Sequence, residues 1–189
     1  MSFLRHPRTE TGCMVLLSAM LFVALFRLND WLFAALEHSQ GVNWIFLPAG
    51  FRVALVLVMG LPAAFGILLG NLWLDREHWA LASMPSILAI GLASGFGPWL
   101  VRVWMEKRQL IDTQLQRLNS ASLLHFVLLY AAFNALSHQL IHWVFQTPNT
   151  LPWLDVWPMF VGDAIGALVV LYAFKVALAQ WRRRQVPRT

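Results

Sequence analysis

Val53 to Trp73 reads VALVLVMGLPAAFGILLGNLW, 21 residues without a charged side chain. An apolar run of this length suits hydrocarbon better than water, since one spanning helix needs about 20 mainly apolar residues. The run is broken at Gly60-Leu61-Pro62, where proline removes a backbone donor and glycine frees the chain to turn. The break leaves two short segments, Trp44–Met59 and Pro62–Leu74. At 1.5 Å per residue each reaches only about 20–24 Å, short of a hydrocarbon core of about 30 Å. Residues 44–74 are therefore read as a short or broken pair, either two thin spans or one re-entrant hairpin.

Working outward, the same lack of charge extends through the chain. Apolar runs recur at Gly12–Phe26, Trp79–Val101 and Ala121–Tyr130. Of the 189 residues, 59% are hydrophobic and 12% charged, against roughly 25% charged in soluble domains. There is too little polar surface to cover a water-facing body. The expected fold is all-α: a polytopic integral membrane helix bundle of about six transmembrane segments. The remaining segments are Gly12–Leu36, Trp79–Trp104, Ser120–Phe145 and Trp157–Gln180. Residues 1–11 read as a cytoplasmic N-terminal segment, 12–180 as a membrane-embedded helical domain, and 181–189 as a basic cytoplasmic tail. The first apolar stretch is too long for a signal peptide and lacks a small-residue cleavage site, so it reads as an uncleaved span. Cys13 is the only cysteine, which excludes an internal disulfide.

The net charge of +5 does not indicate nucleic acid, because the basic residues sit where membrane topology places them. Arg5 and Arg8, then Arg102, Lys107, Arg108 and Arg117, then Arg182, Arg183, Arg184 and Arg188 fall on one side; the other has only Arg76. The positive-inside rule puts both termini in the cytoplasm, with lipid as the first partner. Glu106–Asn119 reads as a short cytoplasmic helix joining two halves.

Ionisable groups inside spans are costly and normally face the bundle interior, paired. Arg27, Asp30, Arg52, Asn71, His138, His142 and Asp163 interrupt apolar segments. Most gather toward the outer side, with Trp44 and several other tryptophans. Some of these fit an interfacial aromatic belt; the gathering as a whole fits an outward-facing polar cavity for a small ligand. Tyr130, Asn134, His138 and His142 recur every fourth residue, which makes one stripe along a helix. The paired histidines have a spacing that can ligate metal, but no Glu or Cys motif accompanies them, so no metal or cofactor is assigned. No nucleophile elbow, phosphate-binding glycine loop or zinc motif is present, and no catalysis is assigned. Arg52 and Asp163 are expected to approach each other across the bundle, with Asp30 and Arg27 as competing partners.

Two stretches carry a resemblance: Asn43-Trp-Ile-Phe-Leu-Pro-Ala-Gly-Phe-Arg52 and Trp157-Pro-Met-Phe-Val-Gly-Asp-Ala-Ile-Gly166. Together they resemble the first of the bacterial membrane-associated sensor domain families, the MASE type, at Pro48, Gly50, Gly162, Asp163 and Gly166. The chain departs from that pattern in having Leu47-Pro48 for a double proline and about six spans for about eight. The resemblance implies a sensor-like module that binds a small ligand or partner and signals to a separate kinase, cyclase or other output protein. A second reading is the substrate-binding membrane subunit of a vitamin-type uptake transporter, which shares this size and an outward pocket.

Overall fold

The computed structural model describes residues 7–39, 42–78, 83–114, 119–148 and 150–185. Arg5, Trp79, Arg117 and Arg188 lie outside the described residues. Six α-helices account for most of the chain: α1 Pro7–Phe33, α2 Leu47–Met59, α3 Leu61–Leu74, α4 Met84–Lys107, α5 Ser120–Phe145 and α6 Pro152–Gln185. Four of them, α1, α4, α5 and α6, are long and apolar enough to cross a membrane. α2 and α3, with 13 and 14 residues, are shorter. A two-stranded ribbon, β1 Glu37–Ser39 and β2 Val42–Asn43, follows α1 in antiparallel register, Glu37 opposite Asn43.

Local chemistry sets the helix ends. Ser83 and Asn119 cap α4 and α5 by accepting the backbone N–H groups of Ser86 and Ser122, which satisfies donors that a helix start otherwise orphans. α5 ends in a left-handed residue, Gln146, and Gln109 adopts a positive φ just past α4. Among the described residues the expected cytoplasmic helix over Glu106–Asn119 is not seen: α4 ends at Lys107 and residues 108–114 are not helical, while 115–118 lie outside the described residues.

The break falls where the sequence places it. Gly60 has φ +65° and forms the single-residue tip between α2 and α3. α2 runs back along α1, since Leu47 N–H donates to Asn29 while Ser18 meets Met59. α3 then returns alongside α1, with Gly66 and Gly70 against Val15, Ala19 and Phe22. α4 descends against α3, Gly91 and Gly95 meeting Leu68 and Ala64. α5 ascends against α4, with His138 at Ser94, and α6 descends against α5, with Asp163 at Asn134. The start of α1 and the end of α6 consequently lie at the same end of the bundle, together with the α2–α3 tip and the α4–α5 connection. This is the basic end of the bundle.

The core is built around α2. Eight of its 13 residues are buried, and its neighbours are α1, α3, α4 and α6. Phe46, Ala49, Val53 and Leu57 form a cluster with Val101, Met105, Ile111, Phe126 and Tyr130. The helix that looks weakest as a span is therefore the axis of the molecule. α6 begins at Pro152, not near Trp157, so Asp163 lies about three turns into it. Its helix continues through Trp181 to Gln185, so the start of the basic tail extends α6.

Candidate functional site

The two stretches that carry the family resemblance lie against each other. Asn43 to Leu47 crosses α6 with its backbone against Gly162 and Gly166, and Phe46 N–H donates to Gly162 O at 3.1 Å. A Cβ at either glycine would run into backbone atoms of Asn43 or Phe46, so this approach requires glycine. Gly50 continues the contact, facing Ala167 and Val170. Pro48 sits in the first turn of α2, where its missing N–H costs nothing. Asn29 of α1 supplies the N-terminal hydrogen bond of α2, accepting from Leu47 N–H at 2.9 Å. Asn29 is fully buried, and sequence reading missed it.

Packing against α6 fixes the rotation of α2 and turns Arg52 into the core, where it is 2% exposed. Its guanidinium lies over the Phe22 ring at 4.9 Å and the Phe46 ring at 5.3 Å. Nη1 donates to the Tyr130 hydroxyl at 3.3 Å. Ring contacts are worth roughly 0.5–2 kcal/mol each, and a hydrogen bond to a charge roughly 1.5–3 kcal/mol. Together they are of the size needed to offset burying an arginine at mid-membrane, about 2.5 kcal/mol or more.

One turn along α5, Asn134 donates from Nδ2 to Asp163 Oδ2 at 2.7 Å. Arg52 is the positive charge acting on both Tyr130 and Asp163. The expected direct pairing of Arg52 with Asp163 does not form; each binds a different α5 side chain, Tyr130 for Arg52 and Asn134 for Asp163. Arg52 Nε and Asn134 Oδ1 are buried without a hydrogen-bond partner.

The stripe continues outward. His138 Nε2 shares a hydrogen bond with Ser94 Oγ at 3.0 Å, and His142 Nδ1 with Thr147 Oγ1 at 3.1 Å. His142 also borders an open depression of about 600 Å³ between the end of α5 and the start of α6, lined by Trp143, Gln146, Thr147, Thr150 and Pro152 among others. Tyr130 to His142 covers about 18 Å along the helix. The two histidines bond to separate partners, and among the described residues no three His, Cys, Asp or Glu side chains converge as a metal site.

Other expected members of the network lie elsewhere. Arg27 is exposed and Asp30 half-buried on α1, so Arg27 is not an interior group; it lies about 9 Å from the end of α1 and can reach polar surroundings there. Arg27 is the charge of opposite sign acting on Asp30, and neither of the alternative pairings with Arg52 or Asp163 forms. Asn71 is buried but donates to Ile67 O on its own helix at 3.0 Å. Trp44 stands at the ribbon edge-on to His38. His38 Nε2 lies 3.7 Å from Asp155 Oδ1, and Asp155 Oδ2 accepts Leu151 N–H at 3.0 Å. Asp155 is a buried carboxylate that the sequence did not single out; its place four residues after Leu151, at a helix start, is the signal that could have found it. Arg102, read as a loop charge, proves to bind four backbone and side-chain acceptors.

The chain matches no protein-family model, no curated protein and no solved structure.

Proposed function

We propose that the chain is a non-catalytic, sensor-like module of a bacterial inner membrane, with its basic end in the cytoplasm. It receives a small ligand or partner at the opposite end and passes the signal to a separate output protein, a kinase or a cyclase. The observation that carries this reading is the α5 stripe. One helix face bears polar groups from the open depression at His142 to the buried Arg52 and Asp163; Tyr130, Asn134 and His138 each have a partner on another helix, and His142 bonds to Thr147 in the turn that ends α5. Buried charge inside a span is retained where it serves a pathway or a switch. The short pair α2–α3 is read as two thin segments whose tip reaches the cytoplasmic side, which keeps the number of crossings even.

The orientation rests on the basic residues. Arg8, Lys107, Arg108 and the Arg182–Arg184 run belong to the end where α1 starts and α6 finishes, whereas Arg76 is at the other end. Of the described tryptophans at that other end, Trp31, Trp73, Trp143, Trp153 and Trp157 are more than half exposed and Trp44 is 39% exposed, which suits an interfacial belt.

Mild solubilisation of native membranes and recovery of the tagged full chain tests the reading. A kinase or cyclase recovered with the parent chain, whose output changes with Asp163→Asn, is the expected result. Recovery of a pair of ATPase subunits would replace the sensor with the vitamin-type transport subunit.

A further inference from the structure

At the basic end, a single guanidinium joins three parts of the chain. Arg102 on α4 donates from Nη1 to Val56 O at 2.9 Å and Leu57 O at 3.2 Å. Both carbonyls lie in the last turn of α2; Leu57 O is among the acceptors that a helix end leaves without intrahelical donors, and Val56 O also accepts Gly60 N–H at 2.9 Å. Nε donates to Glu106 at 2.8 Å, and Nη2 to Thr113 O in the α4–α5 connection at 3.2 Å. The connection itself turns back under the bundle. Gln109 takes φ +57°, Leu110 N–H donates to Met105 O, and Ile111 enters the core cluster with Leu57, Met105 and Phe126. Ile111 is 4% exposed while its neighbour Leu110 is 49% exposed.

We propose that Arg102 is an output latch, which holds the Leu110–Thr113 segment against the inner end of α2 and releases it when α2 shifts. The inference rests on the sensor reading and names its output element. α2 is a single helix of 13 residues. Arg52, held by Tyr130 on α5, lies little more than one turn from the carbonyls that Arg102 grips. A displacement at Arg52 therefore moves Val56 and Leu57 with it. A shift of α2 that carries Nη1 with its carbonyls draws Nη2 of the same planar group away from Thr113 O. With that bond lost, the segment still has Leu110 N–H on Met105 O and Ile111 in its seat, which is formed partly by Leu57 of the moving helix. Two discrete arrangements of a packed element are the form in which such signals travel. The released segment presents Leu110 and Ile111, flanked by Arg108 and Asp112, to a cytosolic protein.

The full chain in lipid nanodiscs, with Cys13→Ser as background, tests this by labelling with a membrane-impermeant maleimide. Single cysteines are placed at Ile111, at Leu110 as the open control, and at the fully buried Ser94 as the reporter of global folding. In the parent, Ile111→Cys should react about tenfold or more slowly than Leu110→Cys. Arg102→Gln should remove most of that difference, and Arg52→Met should remove part of it, with Ser94→Cys still protected. Equal reactivity at positions 110 and 111 in the parent overturns the latch, as does protection of Ile111→Cys that survives Arg102→Gln. If Arg102→Gln frees the segment but Arg52→Met does not, the link to α2 is overturned while the membrane-module reading stands. Should Arg102→Gln also expose Ser94→Cys, Arg102→Lys decides. Lysine keeps a charge at the α2 carbonyls but lacks the second arm that reaches Thr113, so Ile111→Cys alone must become reactive. Protection or exposure of both cysteines in Arg102→Lys shows a scaffold, and the latch falls.

Discussion

Arg52 on α2 and Asp163 on α6 meet the same face of α5 through different side chains: the guanidinium binds Tyr130, and the carboxylate binds Asn134 one turn away. A direct ion pair would be a closed unit with fixed geometry. Here α5 carries both contacts, so the positions of α2 and α6 are both registered on one helix. An input that rotates or shifts α5 acts on both charges together.

Tyr130→Phe removes the hydroxyl that accepts from Arg52 and keeps the ring in the core. The loss should be about 1.5–3 kcal/mol, the range for a hydrogen bond to a charged group. Reversible unfolding in detergent micelles measures it, with Tyr172→Phe, at an exposed tyrosine, expected within about 0.5 kcal/mol of the parent. Equal stability of Tyr130→Phe and the parent would assign Arg52 to its two rings alone.

Arg52→Met and Asp163→Asn should each destabilise the bundle, because each leaves the other charge less compensated. The double variant should lose less than the sum by roughly 0.5–3 kcal/mol, as residues sharing a network do. Strict additivity in this cycle would mean that Tyr130 and Asn134 insulate the two charges.

Gly166→Ala adds a methyl where the backbone of Phe46 passes α6. Overpacking of this kind costs about 1–3 kcal/mol, and here the obstacle is backbone, which cannot turn aside. Thermal aggregation of the solubilised protein should fall by several degrees. Gly12→Ala, with open space around its added methyl, should match the parent. An unaffected Gly166→Ala would show that the Asn43–Leu47 segment is not seated on α6.

The helices and the break at Gly60 were legible because they are written in length and lack of charge, the two properties hydrocarbon selects. Which face of each helix turns inward was not. In a bundle whose outer surface is as apolar as its core, the inside–outside contrast that marks a soluble helix disappears. Polar residues are then the only markers, and they mislead near helix ends. Arg27 looks buried by sequence position but is exposed, whereas Asn29, two residues on, is the group that faces inward. The stripe from Tyr130 to His142 was legible from spacing alone, but its partners Ser94 and Thr147 were not, since serine and threonine are ordinary in spans. Arg102 was counted as a topology marker because it lies near a loop; its grip on α2 depends on the short hairpin ending beside it.

A basic end facing the cytoplasm would place His142 and its depression outside and the Arg102 clamp inside. Paired reporter fusions, one at Pro148 in the α5–α6 connection and one at Thr189, measure this in living cells with an alkaline phosphatase active only outside and a fluorescent protein active only inside. The expected result is phosphatase activity at Pro148 with fluorescence at Thr189. Phosphatase activity at Thr189 with fluorescence at Pro148 would contradict it.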